Sequence, residues 1–362
     1  MSIISLYEKS DKLFLVGGVV RDELLGIESP DVDLTYVGDA INFAKSLNFE
    51  ITQINEEFGS VHLKIDNKTI DITSTRTETY PKKGYLPVVD KIGCSLKEDV
   101  QRRDFTINSL AKNCKTSEII DFTGGIKDLK NKKLRILHDK SFIDDPTRII
   151  RGLKFAVRLG FELEENTKKL QDNYLQNVNY DMSFKRLRDE LIDAFNLNKQ
   201  DVLNKFIEQN MYKLVTDNEF HPYLCNVEEF IKPYINEIEN IWLIYLAGFD
   251  LSNIPLTKKE KQIIEDYNLM KDLKGFELYK KFKISKMESV LIYGITVDID
   301  IAKKFLDEER HINLHINGKD LLELGYEQSP KIAEVLDNIL QIKLEHPNLT
   351  KEEEIILAKK YM

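Results

Sequence analysis

The run Leu13-Phe14-Leu15-Val16 passes directly into Gly17-Gly18 and then into Val19-Val20-Arg21-Asp22-Glu23-Leu24-Leu25-Gly26. A short apolar run reads as a strand and the residues after the glycines as a helix, so the two glycines must turn one into the other. The first N–H groups of such a helix have no internal partner, and together with the helix dipole they favour an anion such as phosphate. Arg21, one turn in, adds a charge-assisted contact for the same group. A tight turn without a ligand satisfies the same pattern.

Asp31-Val32-Asp33 follows. On a strand, residues two apart point from one face, and two carboxylates so placed repel unless a cation sits between them. Such a pair can hold one or two Mg²⁺ ions, which align an attacking hydroxyl and a triphosphate and stabilise both the attacking and leaving oxygens. A solvated turn with two acids is the plain alternative. Asp66-Asn67-Lys68 predicts a hairpin turn, with Asp71 on its second strand as a candidate third carboxylate or as a solvated edge residue.

Two further clusters carry chemistry. In Arg102-Arg103-Asp104-Phe105-Thr106-Ile107-Asn108-Ser109-Leu110-Ala111, Arg103 can meet a triphosphate or ribose and Asn108 can order its neighbours. A helix start capped by Asp104 or Thr106 would also account for the cluster. In Asp144-Asp145-Pro146-Thr147-Arg148-Ile149-Ile150-Arg151-Gly152-Leu153-Lys154-Phe155-Ala156, Pro146 suits a first helical position and Asp145 its N-cap. Arg148, Arg151 and Lys154 then share one face, apart from the apolar stripe. That face is either a solvated basic surface or a reader of bases. Cytosine and adenine offer an exocyclic amine beside a ring-nitrogen acceptor; guanine and uracil offer the reverse. An Asp that accepts and an Arg that donates, one turn apart, match C and A.

The remaining chain places these clusters. Short β runs at Leu13 to Val16, Asp33 to Val37, Val61 to Ile65 and Thr69 to Thr73 give way from about Ser141 to helical periodicity. Helical runs are predicted at Pro146 to Leu159, Phe184 to Phe195, Asp201 to Asn210, Val227 to Ala247, Lys258 to Leu273, Leu278 to Phe282, Val297 to Glu308, Gly318 to Leu324 and Lys331 to Leu344. Arg76 to Gln101 has little periodicity and reads as a mobile loop beside the site. With 362 residues, 42% hydrophobic and only 9 Pro, the chain is a helix-rich globular protein of two to three domains, not a disordered one. No apolar run is long enough for a membrane span, and Glu8 and Lys9 interrupt any signal core, so a cytoplasmic location is expected. Cys94, Cys114 and Cys225 lack metal spacing and read as reduced thiols. His311 and His315, at i,i+4, could share a metal on a helix face, but no third ligand is suggested. The net charge of −9 argues against a protein that coats nucleic acid, although ten Lys or Arg face four acids between Lys127 and Arg158.

Taken together, VGGVVRDELLG with DVD, RRDFTINSLA and DDPTRIIRGLKFA resemble, in order and spacing, the class II tRNA nucleotidyltransferase and bacterial poly(A) polymerase family. DFTGGIKDL from Asp121 resembles its hinge motif and SFKRLRDEL from Ser183 its neck-helix motif, while NGKDLLELG from Asn317 resembles the far C-terminal part of CCA-adding enzymes. The resemblance implies an α+β nucleotidyltransferase head with a mixed sheet over residues 1–140. An all-α neck (141–200) with the base-selecting site, a body (201–270) and a tail (271–362) that contacts tRNA would follow. It implies Gly17, Gly18 and Arg21 at the triphosphate, Asp31 and Asp33 as catalytic Mg²⁺ ligands, and Arg103 and Asn108 at the nucleotide. Asp145 and Arg148 would select the base, with Arg151 and Lys154 as further nucleotide contacts. Asp144 stands where the pattern has Glu, and Lys154 where a third Arg is expected, a change that keeps the charge but loses the bidentate fork.

The implied activity is template-independent addition of CCA to the 3′ end of tRNA from CTP and ATP, with release of pyrophosphate. An A-adding or CC-adding partner of a divided system, a poly(A) polymerase and a non-catalytic tRNA-binding protein are the alternatives. The undiminished interval between Arg76 and Arg103 favours CCA or A addition over CC addition, since the resemblance associates CC-only enzymes with a shortened loop there. The C-terminus, of mixed charge, disfavours poly(A) synthesis, which the resemblance associates with a basic extension.

Overall fold

The apolar alternation of the first third is realised as a seven-stranded mixed sheet. The computed structural model describes residues 3–29, 32–65 and 68–362. Asp31 and the turn residues Asp66 and Asn67 lie outside the described residues. The strands are β1 (Leu13–Val16), β2 (Asp33–Tyr36), β3 (Glu50–Asn55), β4 (Ser60–Ile65), β5 (Lys68–Ser74), β6 (Arg76–Thr79), β7 (Val88–Ile92), β8 (Leu110–Asn113) and β9 (Ile119–Asp121). The large sheet runs β3-β4-β5-β2-β1-β8-β9. The expected hairpin is present, β4 and β5 pairing antiparallel from Ser60↔Thr73 to Ile65↔Lys68. β2 and β5 pair in parallel, which makes Asp33 and Asp71 register partners. Leu13, Leu34, Val61, Leu63, Ile70 and Ile72 fill one face of this sheet against Ala40 and Ala44 of the Ala40–Lys45 helix.

The interval expected as a mobile loop is ordered differently. β6 and β7 form a separate antiparallel ribbon, followed by the helix Leu96–Gln101, which opens on a capping box at Ser95 and Glu98. The ribbon's exposed residues Val88 and Ile92 leave no alternating pattern to read. After β9, both Asp121 carboxylate oxygens accept backbone N–H groups, Oδ1 from Thr123, Gly124 and Gly125 and Oδ2 from Ile126, and so cap the helix Gly125–Lys130. Gly125 packs against the Thr106 carbonyl, which a Cβ there would meet at 2.3 Å, so only glycine fits.

The described chain divides into two compact units, Met1–Asn218 with Leu251–Pro255, and Glu219–Asp250 with Leu256–Met362. In the first, the helix Thr147–Leu159 buries Ile149, Ile150 and Leu153 and lies against the helix Phe184–Phe195. In the second, the single helical run expected over Val227 to Ala247 is three pieces, Val227–Ile231, a 3₁₀ stretch Lys232–Glu237 and Ile241–Tyr245. Pro233 cannot donate to a continuing α-helix, which explains the break. His311 ends a 3₁₀ turn and His315 lies in the following loop, so they do not share a helix face. Among the described residues no helix is long and apolar enough to cross a membrane.

The last three helices of this second unit, Gly318–Glu323, Lys331–Glu345 and Lys351–Lys360, close over Ile316, Leu321, Val335, Ile339 and Ala358. Beside that cluster the fully buried Glu354 pairs with Lys343, 3% exposed, and accepts the N–H groups of His315 and Ile316. Removing one partner of a buried pair strands the other charge. Glu354→Gln should therefore cost about 3 kcal/mol, read as a lower urea midpoint for unfolding of this unit.

Candidate active site

A cavity of about 620 Å³ in the first unit gathers nearly all of the residues singled out in the sequence. Gly17, Gly18, Arg21, Asp33, Arg103, Asn108, Asp145, Arg148, Arg151 and Lys154 all line it. Asp31 lies outside the described residues.

The floor is the β1 turn. Gly17 has φ +72°, in the left-handed region, and a Cβ there would stand 3.1 Å from Arg103 Nη1. A Cβ on Gly18 would meet Arg21 Nη2 at 3.3 Å. The two glycines thus let two guanidinium groups press on the start of the Gly18–Leu25 helix, where backbone N–H groups and helix dipole add to them. Arg103 Nε is buried without a hydrogen-bond partner, while Nη2 reaches Asp99 at 3.4 Å. Burial pulls the Arg103 guanidinium below its ordinary value despite Asp99. A half-buried guanidinium with an unpaired Nε at a helix start has the chemistry to meet an anion. Arg21 is more fully engaged, with Nε on Asp22 at 2.8 Å, Nη1 on Asn108 Oδ1 at 2.6 Å, and its guanidinium 5.0 Å from the Phe155 ring centre.

The carboxylates stand at the sheet end. Asp33 begins β2, and its register partner Asp71 lines with it a smaller cavity of about 170 Å³ that also includes Arg76, Arg102 and Arg103. Asp71 Oδ1 is buried and makes no hydrogen bond; His62 Nε2 is 3.8 Å away. Burial raises the Asp71 carboxyl above the ordinary carboxylate range. Among the described residues no three His, Cys, Asp or Glu side chains converge. An orphaned carboxylate oxygen beside a second carboxylate is an all-oxygen donor set, which fits a hard divalent cation such as Mg²⁺. Asp71 is thereby placed beside Asp33 by strand register, a relation the sequence spacing alone left open.

The opposite wall is the helix Thr147–Leu159. Asp145, 4% exposed, accepts from Thr147 N and Oγ1 with Oδ1 and from Arg186 Nη2 at 2.6 Å with Oδ2. The helix starts one residue later than expected, with Pro146 rather than Asp145 at the N-cap, and Asp145 fastens that start through Thr147 while lining the cavity. Arg148, 3% exposed, donates to Ser141 Oγ, Tyr80 OH and the Arg102 carbonyl, so it is no part of a solvated surface. Arg151 forks onto Asp104 Oδ2 through Nε at 2.8 Å and Nη2 at 2.7 Å and reaches Glu190 through Nη1. Lys154 makes one close contact, to Asp193 at 2.9 Å.

Further residues that were not singled out as site residues, Asp22, Tyr80, Asp104, Arg158, Arg186 and Glu190, also line the cavity. The segment after β6 fastens onto the residues flanking two later helices: Lys83 pairs with Asp144 at 2.6 Å, Gly84 N–H donates to the Asp144 carbonyl, and Ser183 N–H donates to the Gly84 carbonyl. Gly84, at φ +73°, is wedged against Met182, whose Cβ would lie 2.6 Å from an added Cβ. Tyr85 then accepts from Arg186 through its carbonyl, so the segment fixes the arginine that holds Asp145.

Residues 13–135 match the poly(A) polymerase head-domain family. Over 92% of its length the chain is 33% identical to the A-adding tRNA nucleotidyltransferase of Aquifex aeolicus, of which it spans 41%. It is 28% identical to the CCA-adding enzyme of Bacillus pumilus, over 97% of this chain and 93% of that one. A solved CCA-adding enzyme in an apo form superposes with a TM-score of 0.82 at 25% identity, covering 99% of this chain and 96% of its own. The motifs, the mixed-sheet head with its helical continuation and these similarities agree: residues 13–135 carry a poly(A) polymerase head domain, and the chain as a whole is similar in sequence and fold to A-adding and CCA-adding tRNA nucleotidyltransferases.

Proposed function

We propose that the chain adds CCA to the 3′ end of tRNA from CTP and ATP without a nucleic-acid template, releasing pyrophosphate. The observation that carries this reading is one cavity holding a phosphate-type floor (Gly17, Gly18, Arg103), the Asp33 carboxylate and a donor and acceptor pair one turn apart (Asp145, Arg148), with Asp71 beside Asp33 in a smaller cavity that shares Asp33 and Arg103. A head over residues 1–140, a neck over 141–200, a body over 201–270 and a tail over 271–362, in a cytoplasmic enzyme, complete the proposal.

The triphosphate lies along the start of the Gly18–Leu25 helix, its charge met by backbone N–H groups and by Arg103 and Arg21. Asp145 accepts the exocyclic amine of cytosine or adenine and Arg148 donates to the ring nitrogen beside it, whereas guanine and uracil set donor against donor and acceptor against acceptor. The Arg148 bonds to Tyr80 and to the Arg102 carbonyl are ones an incoming base has to share or displace. Asp33 and Asp71, with Asp31, would hold Mg²⁺, which when bound supplies Lewis-acid stabilisation of the transferring phosphoryl oxygens. The tRNA 3′-hydroxyl is the nucleophile, and the arginines neutralise the charge of the departing pyrophosphate.

A second reading, A addition alone, is favoured by the 33% identity to the Aquifex protein of that name. The test of substrate class is pyrophosphate release from CTP and ATP with a CCA-less tRNA transcript, with no RNA, and with a protein acceptor. Release that depends on the tRNA supports the proposal; release with protein and not with tRNA would sink it.

A further inference from the structure

We propose that Asp104 is a positioning residue that aims two nucleotide-site arginines carried by different helices lining the cavity, Arg151 directly and Arg21 through Asn108. This deepens the functional reading above and rests on it, since it presumes that the cavity binds a nucleotide.

Asp104 is 7% exposed, and each of its oxygens is used. Oδ2 accepts the paired Nε and Nη2 of Arg151. Oδ1 accepts the Phe105 backbone N–H at 2.7 Å and Asn108 Nδ2 at 3.0 Å. A carboxylate only accepts, so the Asn108 amide must turn its nitrogen towards Asp104 and its oxygen away. That oxygen accepts Arg21 Nη1 at 2.6 Å, and a guanidinium only donates. An amide is the side chain that can stand between a group that only accepts and one that only donates. Asn108 is 6% exposed, so both bonds lie largely out of bulk water. Burial alone would raise the Asp104 carboxyl, but Arg151 and the bonds from Asn108 and Phe105 override it and hold it at about 2. Asp104 is therefore ionised, and the orientation of Asn108 is fixed, throughout the neutral range.

Both ends of the relay converge on one ring. The Arg21 guanidinium lies 5.0 Å and that of Arg151 5.9 Å from the centre of Phe155. Arg21 comes from the helix after the Gly-Gly turn and Arg151 from the helix that carries Asp145 and Arg148, so Asp104 ties the phosphate floor to the base-reading wall. A carboxylate that merely fastened two segments would leave the contributions of Arg21 and Arg151 to nucleotide affinity independent.

The experiment is a double-mutant cycle on ATP affinity, measured by equilibrium titration of the full chain without RNA acceptor. Among the described residues, the hydrogen-bond path from Asp104 to Arg21 runs through Asn108. Asp104→Asn should weaken ATP binding by about tenfold in the wild-type background and by about threefold or less beside Arg21→Ala. The same factor in both backgrounds overturns the proposal. Should Asp104→Asn fail to fold, Asn108→Ala and Arg151→Ala form a second cycle that leaves Asp104 in place, because both residues hydrogen-bond to its carboxylate. Their combined loss should depart from the product of the single losses by about threefold or more, and a simple product contradicts the relay. The Asn108→Ala loss should also shrink when AMP replaces ATP, since Arg21 serves the phosphates; an equal loss for both ligands counts against the relay. A wild-type chain that binds ATP but extends no tRNA defeats the functional reading, whereas an active wild type with additive cycles defeats the relay alone.

Discussion

Asp33→Ala lowers nucleotide transfer to tRNA by on the order of 1000-fold and leaves tRNA affinity largely unchanged. The expectation follows from the corner at the end of β2 and β5, where Asp33 and Asp71 are register partners and Asp71 Oδ1 is buried without a hydrogen bond. Loss of one carboxylate would remove a ligand of the divalent cation proposed for this corner, and each 1.4 kcal/mol of lost stabilisation is about a factor of ten. Asp71→Asn should reduce transfer in the same sense. The check is single-turnover extension at saturating nucleotide together with a tRNA binding titration. Preserved turnover in Asp33→Ala removes the carboxylate assignment, and a parallel fall in tRNA affinity makes Asp33 a folding residue.

Arg148→Ala relaxes base choice, lowering the preference for C and A over U and G by about 10- to 100-fold, the range for losing a charged hydrogen bond that only the correct base makes. Arg148 is buried among Ser141, Tyr80 and the Arg102 carbonyl, so its guanidinium is already held in place at the cavity wall. Arg186→Ala should act in the same direction through Asp145, whose Oδ2 it holds at 2.6 Å. The measurement is kcat/KM for each of the four nucleoside triphosphates on one tRNA acceptor. A uniformly slower enzyme with an unchanged order of preference would make Arg148 a phosphate or packing residue.

The head's central strands were legible because their apolar residues alternate against one buried face, as in Val61, Leu63 and Ile65. The edge strand Glu50–Asn55 was not, since four of its six residues are exposed and no alternation survives. The ribbon β6 and β7 escaped for the same reason. Helices with a full apolar stripe, such as Phe184–Phe195, could be read directly, whereas Met287–Thr296 is buried almost all round and shows no stripe. In the site, the residues that belong to contiguous motifs could be named: Gly17, Gly18, Arg103, Asn108, Asp145, Arg148. Their partners could not. Arg186 meets Asp145 from 41 positions away and Tyr80 meets Arg148 from 68, distances over which a single sequence carries no pairing signal. The pairing of Asp33 with Asp71 depends on a parallel register, which local pattern does not specify.

The account stands most directly on what the chain adds to RNA. Three transcripts of one tRNA, ending before CCA, after one C and after CC, are each incubated with Mg²⁺ and with CTP, ATP or both, and the products are resolved to single-nucleotide length. Stepwise growth through CC to A, halting at CCA and absent in Asp33→Ala, is the predicted result. Extension of the CC-ended transcript alone, with ATP alone, would assign A addition, and no extension of any transcript by the wild-type chain would contradict the account.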